Sequence, residues 1–452
     1  MSAGSLGWLG IIRLGLVQAA LGAIVVLTTS TMNRVMVVEF ALPAMLPGAL
    51  VALHHAIQMI RPRFGYGSDV GGRRTPWIIG GMLVLALGGI VAAIGTALMG
   101  LDPAWASLVA LLGFVLIGLG VGACGTSLLV LLAKRVEPGR RAAAATIVWV
   151  MMIVGFAVTA GIAGHFLDPF SPQRLVMVTA AVALFAVALT LVAIRNLEGH
   201  ATSSLTSAPA HSQPVAFRRA LGEVWQEPEA RRFTVFVFVS MLAYSAQDLI
   251  LEPFAGLVFG MTPGESTKLS GVQHAGVLLG MIAVALTGTL LKRTGRNLLR
   301  VWTIGGCIAS ALALFGIAFG GFMAPQWPLQ ATVFALGVAN GAFAVAAIGS
   351  MMALAGHGRE QREGLRMGLW GAAQAIAFGL GGFLGTVAVD LVKRFYAAPE
   401  IAYAIVFSAE AAMFLLAAML AVKVRQPQPQ PASRNGMPAF GDASLVELAE
   451  GR

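Results

Sequence analysis

Tyr244-Ser245-Ala246-Gln247-Asp248-Leu249-Ile250-Leu251-Glu252-Pro253-Phe254-Ala255-Gly256 places two carboxylates inside an apolar run of membrane length that begins near Phe233. About 20 mostly apolar residues suffice for an α-helix to cross a bilayer core. An ionised Asp at the centre of such a helix costs about 2.5 to 3.5 kcal/mol on insertion scales, so it faces a bundle interior and marks either a function or a buried structural ion pair. Asp248 and Glu252 are four apart and share a helix face, with Tyr244 one turn earlier. Pro253 removes a backbone donor where the acids sit, which predicts a kink or an end to the helix there.

Working outward, the same composition extends over most of the chain. Of 452 residues, 58% are hydrophobic and 11% charged, against about 25% charged in a soluble domain. This is the composition of an all-α polytopic membrane protein. The formal charge is 30 − 20 = +10, but the basic residues cluster in short loops between apolar runs, a positive-inside pattern rather than a nucleic-acid-binding face. Cys124 and Cys307 both lie in apolar runs, which argues against a disulfide scaffold and a zinc site. Met1 to Gly10 carries no basic segment of the kind that opens a signal peptide.

Twelve spans are predicted. The first six are Leu14–Val38, Ala41–Ile60, Trp77–Leu98, Trp105–Leu132, Ala142–Phe166 and Leu175–Ile194. The second six are Phe233–Leu257, Leu269–Leu291, Val301–Met323, Leu329–Ala355, Leu369–Val392 and Ile401–Val422. The expected organisation is a six-helix half over 1–194, a cytoplasmic linker over 195–232, a second half over 233–422 and a disordered polar tail over 423–452. The linker ends in an amphipathic piece, Phe217–Trp225, suited to a membrane surface. With a cytoplasmic N-terminus, only Arg34, Arg174, Lys268, Lys393 and Arg394 fall at outer ends, leaving 30 − 5 = 25 basic residues inside. Both termini are therefore expected in the cytoplasm of a bacterial inner-membrane protein.

The halves repeat. Gly65-Tyr66-Gly67-Ser68-Asp69-Val70-Gly71-Gly72-Arg73-Arg74 joins spans two and three, and Gly288 to Asn297 joins spans eight and nine, an offset of 288 − 65 = 223. The loops Lys134–Arg141 and His357–Glu363 follow the same offset. Through Gly65, Asp69, Gly72, Arg73 and Arg74 the first loop resembles the signature of the major facilitator superfamily, with Val70 replacing a basic residue. The resemblance implies two pseudo-symmetric six-helix halves, with this loop as a conformational latch. It also makes spans one and seven neighbours at a central cavity. At about 1.5 Å rise per residue, Arg34 and Glu252 reach similar depth, so an Arg34–Glu252 salt bridge is expected, with Asp248 nearby and Glu39 close in sequence. The other reading of Arg34 is a side chain snorkelling to outer headgroups.

A narrower resemblance rests on Asn33-Arg34-Val35-Met36-Val37-Val38-Glu39, on Gln247 through Gly256, on Ser68-Asp69, and on Gly368-Leu369-Trp370-Gly371-Ala372-Ala373-Gln374-Ala375-Ile376. Together these are similar to the PucC/LhaA family, the bacteriochlorophyll-delivery branch of the superfamily. The resemblance implies binding or delivery of bacteriochlorophyll or a precursor, as cargo or ligand. It also implies a role in assembling light-harvesting complexes, with the apoproteins and bacteriochlorophyll synthase as partners, and no enzyme activity. Among six aspartates there is no Asp-rich diphosphate motif.

A bacteriochlorin Mg²⁺ accepts a neutral imidazole as axial ligand, which makes His54, His55 and His274 candidates, while no metal site built by the protein itself is suggested. Hydrogen-bonded packing histidines are the competing reading. Adjacent helical residues point about 100° apart, so His54 and His55 cannot ligate one metal from the same face. Trp149, Trp370 and Phe378 offer surfaces for stacking or plain packing. Two other functional classes fit the same residues: an ion-coupled small-molecule exporter in which Asp248 and Glu252 titrate, and a non-transporting assembly scaffold.

Overall fold

A computed structural model describes residues 6–61, 64, 73–137, 140–198, 225–290, 298–355 and 363–424. Twelve long helices stand among them. The first six are α1 (Trp8–Glu39), α2 (Met45–Ile60), α3 (Thr75–Leu98), α4 (Pro103–Arg135), α5 (Arg141–Phe166) and α6 (Pro172–Ile194). The second six are α7 (Pro228–Phe259), α8 (Pro263–Leu290), α9 (Leu298–Gly321), α10 (Leu329–Ala355), α11 (Glu363–Lys393) and α12 (Pro399–Lys423). Eleven are long and apolar enough to span a membrane, and α2 is the shorter apolar helix. Leu9, Leu184, Phe185 and Leu312 point outward and are exposed, as side chains facing acyl chains should be.

Every helix pairing in the first half recurs six helices later: α1 with α5 and α6, α3 with α4 and α6, and α2 with α4 correspond to α7 with α11 and α12, α9 with α10 and α12, and α8 with α10. Small residues set the distances. At Gly88 in α3 an added Cβ would lie 2.7 Å from the Ile117 nitrogen of α4, so only glycine permits that approach. The halves meet through α5 on α8 and α2 on α11. Helix α1 meets α7 through its distal segments, Leu27–Thr31, Met32–Arg34 and Val35–Glu39.

Three local expectations are corrected. Helix α2 starts at Met45 rather than Ala41, because Pro43 disfavours helical geometry in the residue before it and Ala41 adopts a positive φ of 50°. Helix α7 runs through Pro253 to Phe259, two residues beyond the expected Leu257. Helix α1 is interrupted by two π-helical turns, Leu27–Thr31 and Val35–Glu39. At the first, the Thr28 and Thr29 hydroxyls donate to the Val25 carbonyl at 2.7 and 3.1 Å and compete for an acceptor the helix uses. Gly65, Asp69 and Gly72 of the loop motif lie outside the described residues, as do 199–224 of the linker, 291–297, 356–362 and the tail from 425.

Candidate functional site

The distal third of α1 carries a polar run, Thr28-Thr29-Ser30-Thr31-Met32-Asn33-Arg34, that would be costly facing lipid. It is buried against α7 and α8. Ser30 donates to Ser270 at 3.0 Å, and the Thr31 and Thr267 hydroxyls share a hydrogen bond of 3.0 Å. The Asn33 amide donates to the Leu249 carbonyl. That bond has a specific cause. Leu249 lies four residues before Pro253, so its carbonyl lacks the helical N–H that any other residue at 253 would supply. Asn33 fills the gap from the other half, and α7 continues.

Arg34 does not pair with Glu252. Its Nη1 donates to Glu39, forming the ion pair, and its Nη2 donates to the Met261 carbonyl at 2.6 Å. The π turn over Val35–Glu39 is the reason. On a regular helix residue i+5 points roughly 140° away, whereas a π turn stacks i+5 over i, bringing Glu39 back onto Arg34. The depth expectation was nearly met: an added Cβ at Gly256, one turn beyond Glu252, would lie 3.1 Å from the Arg34 guanidinium.

Glu252 is instead ringed by hydroxyls. Ser266 donates to its Oε2 at 3.5 Å, the Ser30–Ser270 pair belongs to the same seam, and Oε1 has no hydrogen-bond partner among the described residues. Asp248 accepts from Gln273 of α8 at 3.4 Å. Sequence reading missed two groups that belong with these acids. Gln247 is fully buried with neither side-chain atom partnered, and Glu410 on α12 is buried with both carboxylate oxygens unpartnered. A lone acid midway along Ile401–Val422 carries the same signal as Asp248, and could have been found by the same rule.

The candidate histidines divide by their hydrogen bonds. His54 Nδ1 faces the Val51 carbonyl at 3.1 Å and Nε2 faces the Gln58 amide at 2.8 Å, so both ring nitrogens are occupied within α2. His274 Nδ1 donates to the Ser270 carbonyl at 2.8 Å, and the ring packs edge-on to Phe156 of α5 at 5.0 Å. This fixes the tautomer and leaves Nε2 with its lone pair, the arrangement of a metal-ligating histidine. His55 has no hydrogen-bond partner among the described residues and faces α11, with Phe378 6.2 Å away and Gly379 leaving room beside its Cβ. The Tyr244 ring also packs on Phe378, at 5.8 Å. Trp370 packs on Phe233 at 4.9 Å inside the second half's core. The described residues hold no cluster of three or more His, Cys, Asp or Glu able to bind a metal ion.

At the opposite end of the bundle, Arg73 and Arg74 of the loop motif flank the start of α3. The Arg74 and Thr75 N–H groups donate to the two Glu198 carboxylate oxygens at 2.5 and 2.8 Å, so a residue at the start of the linker caps α3. Partial burial raises the Glu198 pKa, but the Thr75 hydroxyl, these two N–H groups and the Arg74 charge outweigh it and hold the carboxyl below its usual range.

Against solved structures, the chain superposes on a crystal structure of a peptide transporter, POT, with a TM-score of 0.66 over 93% of this chain and 96% of that one, at 15% identity. On the nucleoside transporter NupG the TM-score is 0.66 over 92% and 100%, at 14% identity. Likeness at that identity shows the fold, which is that of the major facilitator superfamily. In sequence, the chain is 55% identical over 421 residues, 93% of its length and 96% of the relative's, to the "Bacteriochlorophyll synthase 44.5 kDa chain" of Rhodobacter capsulatus. It is 29% identical over 432 residues, 91% of each chain, to "Protein PucC" of the same organism. Residues 31–428 match the family described as PUCC protein, a span that includes Thr31 to Arg34 of the α1 polar run, both acids of α7 and the three candidate histidines. The chain belongs to the PUCC protein family.

Proposed function

We propose that this chain is a multi-pass factor of the bacterial inner or intracytoplasmic membrane, with both termini cytoplasmic, that binds or delivers bacteriochlorophyll during assembly of light-harvesting complexes. The observation that carries the reading is the end-to-end similarity to a chain named for bacteriochlorophyll synthase and to proteins named PucC. The proposed partners are the bilayer, the pigment or its precursor, the light-harvesting apoproteins and the synthase. In this reading the chain presents the pigment and makes or breaks no bond itself. The geometry supports it at the seam between halves. When pigment is bound, its Mg²⁺ supplies a Lewis-acidic fifth coordination position. His274 is the side chain prepared to fill that position, since the Ser270 carbonyl already holds its N–H. His55 is the second choice, beside the Phe378 ring, which is tilted to it at 6.2 Å. Absorption spectra of the protein purified in mild detergent test this. Bound bacteriochlorin, lowered by His274→Leu and kept by His54→Leu, is the expected result. Absence of pigment, with normal antenna absorbance in a deletion strain, refutes the reading.

The buried acids favour one alternative specifically. An ion-coupled exporter would use Asp248, Glu252 and Glu410 as proton carriers. It predicts normal antenna in the deletion strain and a solute flux abolished by Asp248→Asn.

A further inference from the structure

We propose that Asp168 and Asp390 form a two-part latch that holds the halves together at the bundle end remote from the chain termini, each carboxylate capping the first turn of a helix in the opposite half. Asp168 lies just past the end of α5. It accepts the Thr262 hydroxyl at 2.8 Å and the Gly264 N–H at 3.1 Å, at the start of α8. Asp390, in the last turn of α11, accepts the Ala44 N–H at 3.0 Å and the Met45 N–H at 2.7 Å, at the start of α2. The first N–H groups of a helix have no partner within it, and a carboxylate there is favoured by the helix dipole and by charge-assisted bonding. Each half thus supplies a carboxylate to the start of a helix in the other, and at α8 it joins that helix's own first-turn acid, Glu265, which accepts the Thr262 N–H at 2.9 Å.

Symmetry makes the two caps one device. Helices α5 and α11 are equivalents in the repeat, as are α2 and α8, and the acids are 390 − 168 = 222 residues apart. That is one residue from the 223 separating the two loop motifs. Backbone packing at the same end supports a closed contact independently. An added Cβ at Gly164 would lie 2.6 Å from the Gly264 carbonyl oxygen, and one at Gly48 would run into the Thr386 hydroxyl. The seam residues Thr267 and Ser270 follow Gly264 by one and two helical turns. Parting the halves at this end would uncover both helix starts at once, and the latch therefore governs access to the candidate site from that direction. This holds whatever the site carries.

The reporter is Thr267→Cys, a buried position bonded to Thr31 across the seam, labelled by a hydrophilic maleimide in nanodiscs, where both faces are reachable. Cys124 and Cys307 are buried and set the background. Asp168→Ala and Asp390→Ala should each raise the labelling rate about fivefold, the effect of losing one helix cap. Together they should raise it about 25-fold, since distant caps act independently. A double variant that labels at the parent rate overturns the proposal. Should the double variant fail to fold, Gly164→Ala wedges the same contact without touching either acid. An increased rate then supports the latch, and an unchanged rate overturns it.

Discussion

Removing the Asn33 amide should cost stability only while residue 253 is proline. In the native chain Leu249 has a buried carbonyl whose helical donor Pro253 cannot provide, and Asn33 supplies the replacement from α1. Asn33→Leu, which keeps the volume, strands that carbonyl. A stranded buried acceptor costs about 1 to 3 kcal/mol, although hydrogen bonds between membrane helices average about 0.6 kcal/mol in mutant cycles. The expected loss is therefore about 1 kcal/mol. Pro253→Ala restores an N–H four residues after Leu249, so in that background Asn33→Leu should cost roughly nothing. The coupling energy of the cycle equals the whole effect of the first substitution. Unfolding of the four proteins by SDS in mixed micelles, followed by tryptophan fluorescence, gives the numbers. An Asn33→Leu cost that is the same with proline and with alanine at 253 would falsify the account of why α7 survives its proline.

Four further outcomes follow from the contacts. A cycle of Arg34→Ala with Glu39→Ala should show coupling of about 1 kcal/mol or more, because removing one member strands the other's charge. Arg34→Ala with Glu252→Ala should show weaker coupling than the Arg34–Glu39 cycle, since the two charges lie close without a direct ion pair. Glu410→Leu should raise the unfolding midpoint, since a buried carboxylate with neither oxygen partnered opposes folding; a lowered midpoint would reveal a partner. Glu198 has a folded pKa below its ordinary value of 4.5. Its contribution is therefore present above that value and lost as pH falls through the lower folded one. Stability measured from pH 6 down to about 3 should fall less steeply in Glu198→Gln than in the parent, and parallel curves would remove the cap from the stability of α3.

Charge inside an apolar run was the signal that survived from sequence to structure, because the cost of burying it does not depend on helix register. Asp248 and Glu252 both turn toward α8, where Gln273 and Ser266 donate to them. The partner of Arg34 was not readable, because it depends on the π turn over Val35–Glu39, which composition does not encode. A 3.6-residue period turns Glu39 away from Arg34, and the actual winding turns it back. The Asn33 contact was readable in principle, since a proline inside a membrane helix leaves one known carbonyl without a donor, four residues earlier. The sequence shows Pro253, hence Leu249, and shows Asn33 at similar depth on the neighbouring span. What it withholds is that the vacancy is filled, and a proline read as a helix end hides that question. Asp168 and Asp390 were hidden differently: each reads as an ordinary acid near a loop, and only their 222-residue separation, matched against the loop repeat, ties them together. The same repeat offset that aligns the glycines and basic loops also aligns these two carboxylates, so the pair of caps is written in the sequence.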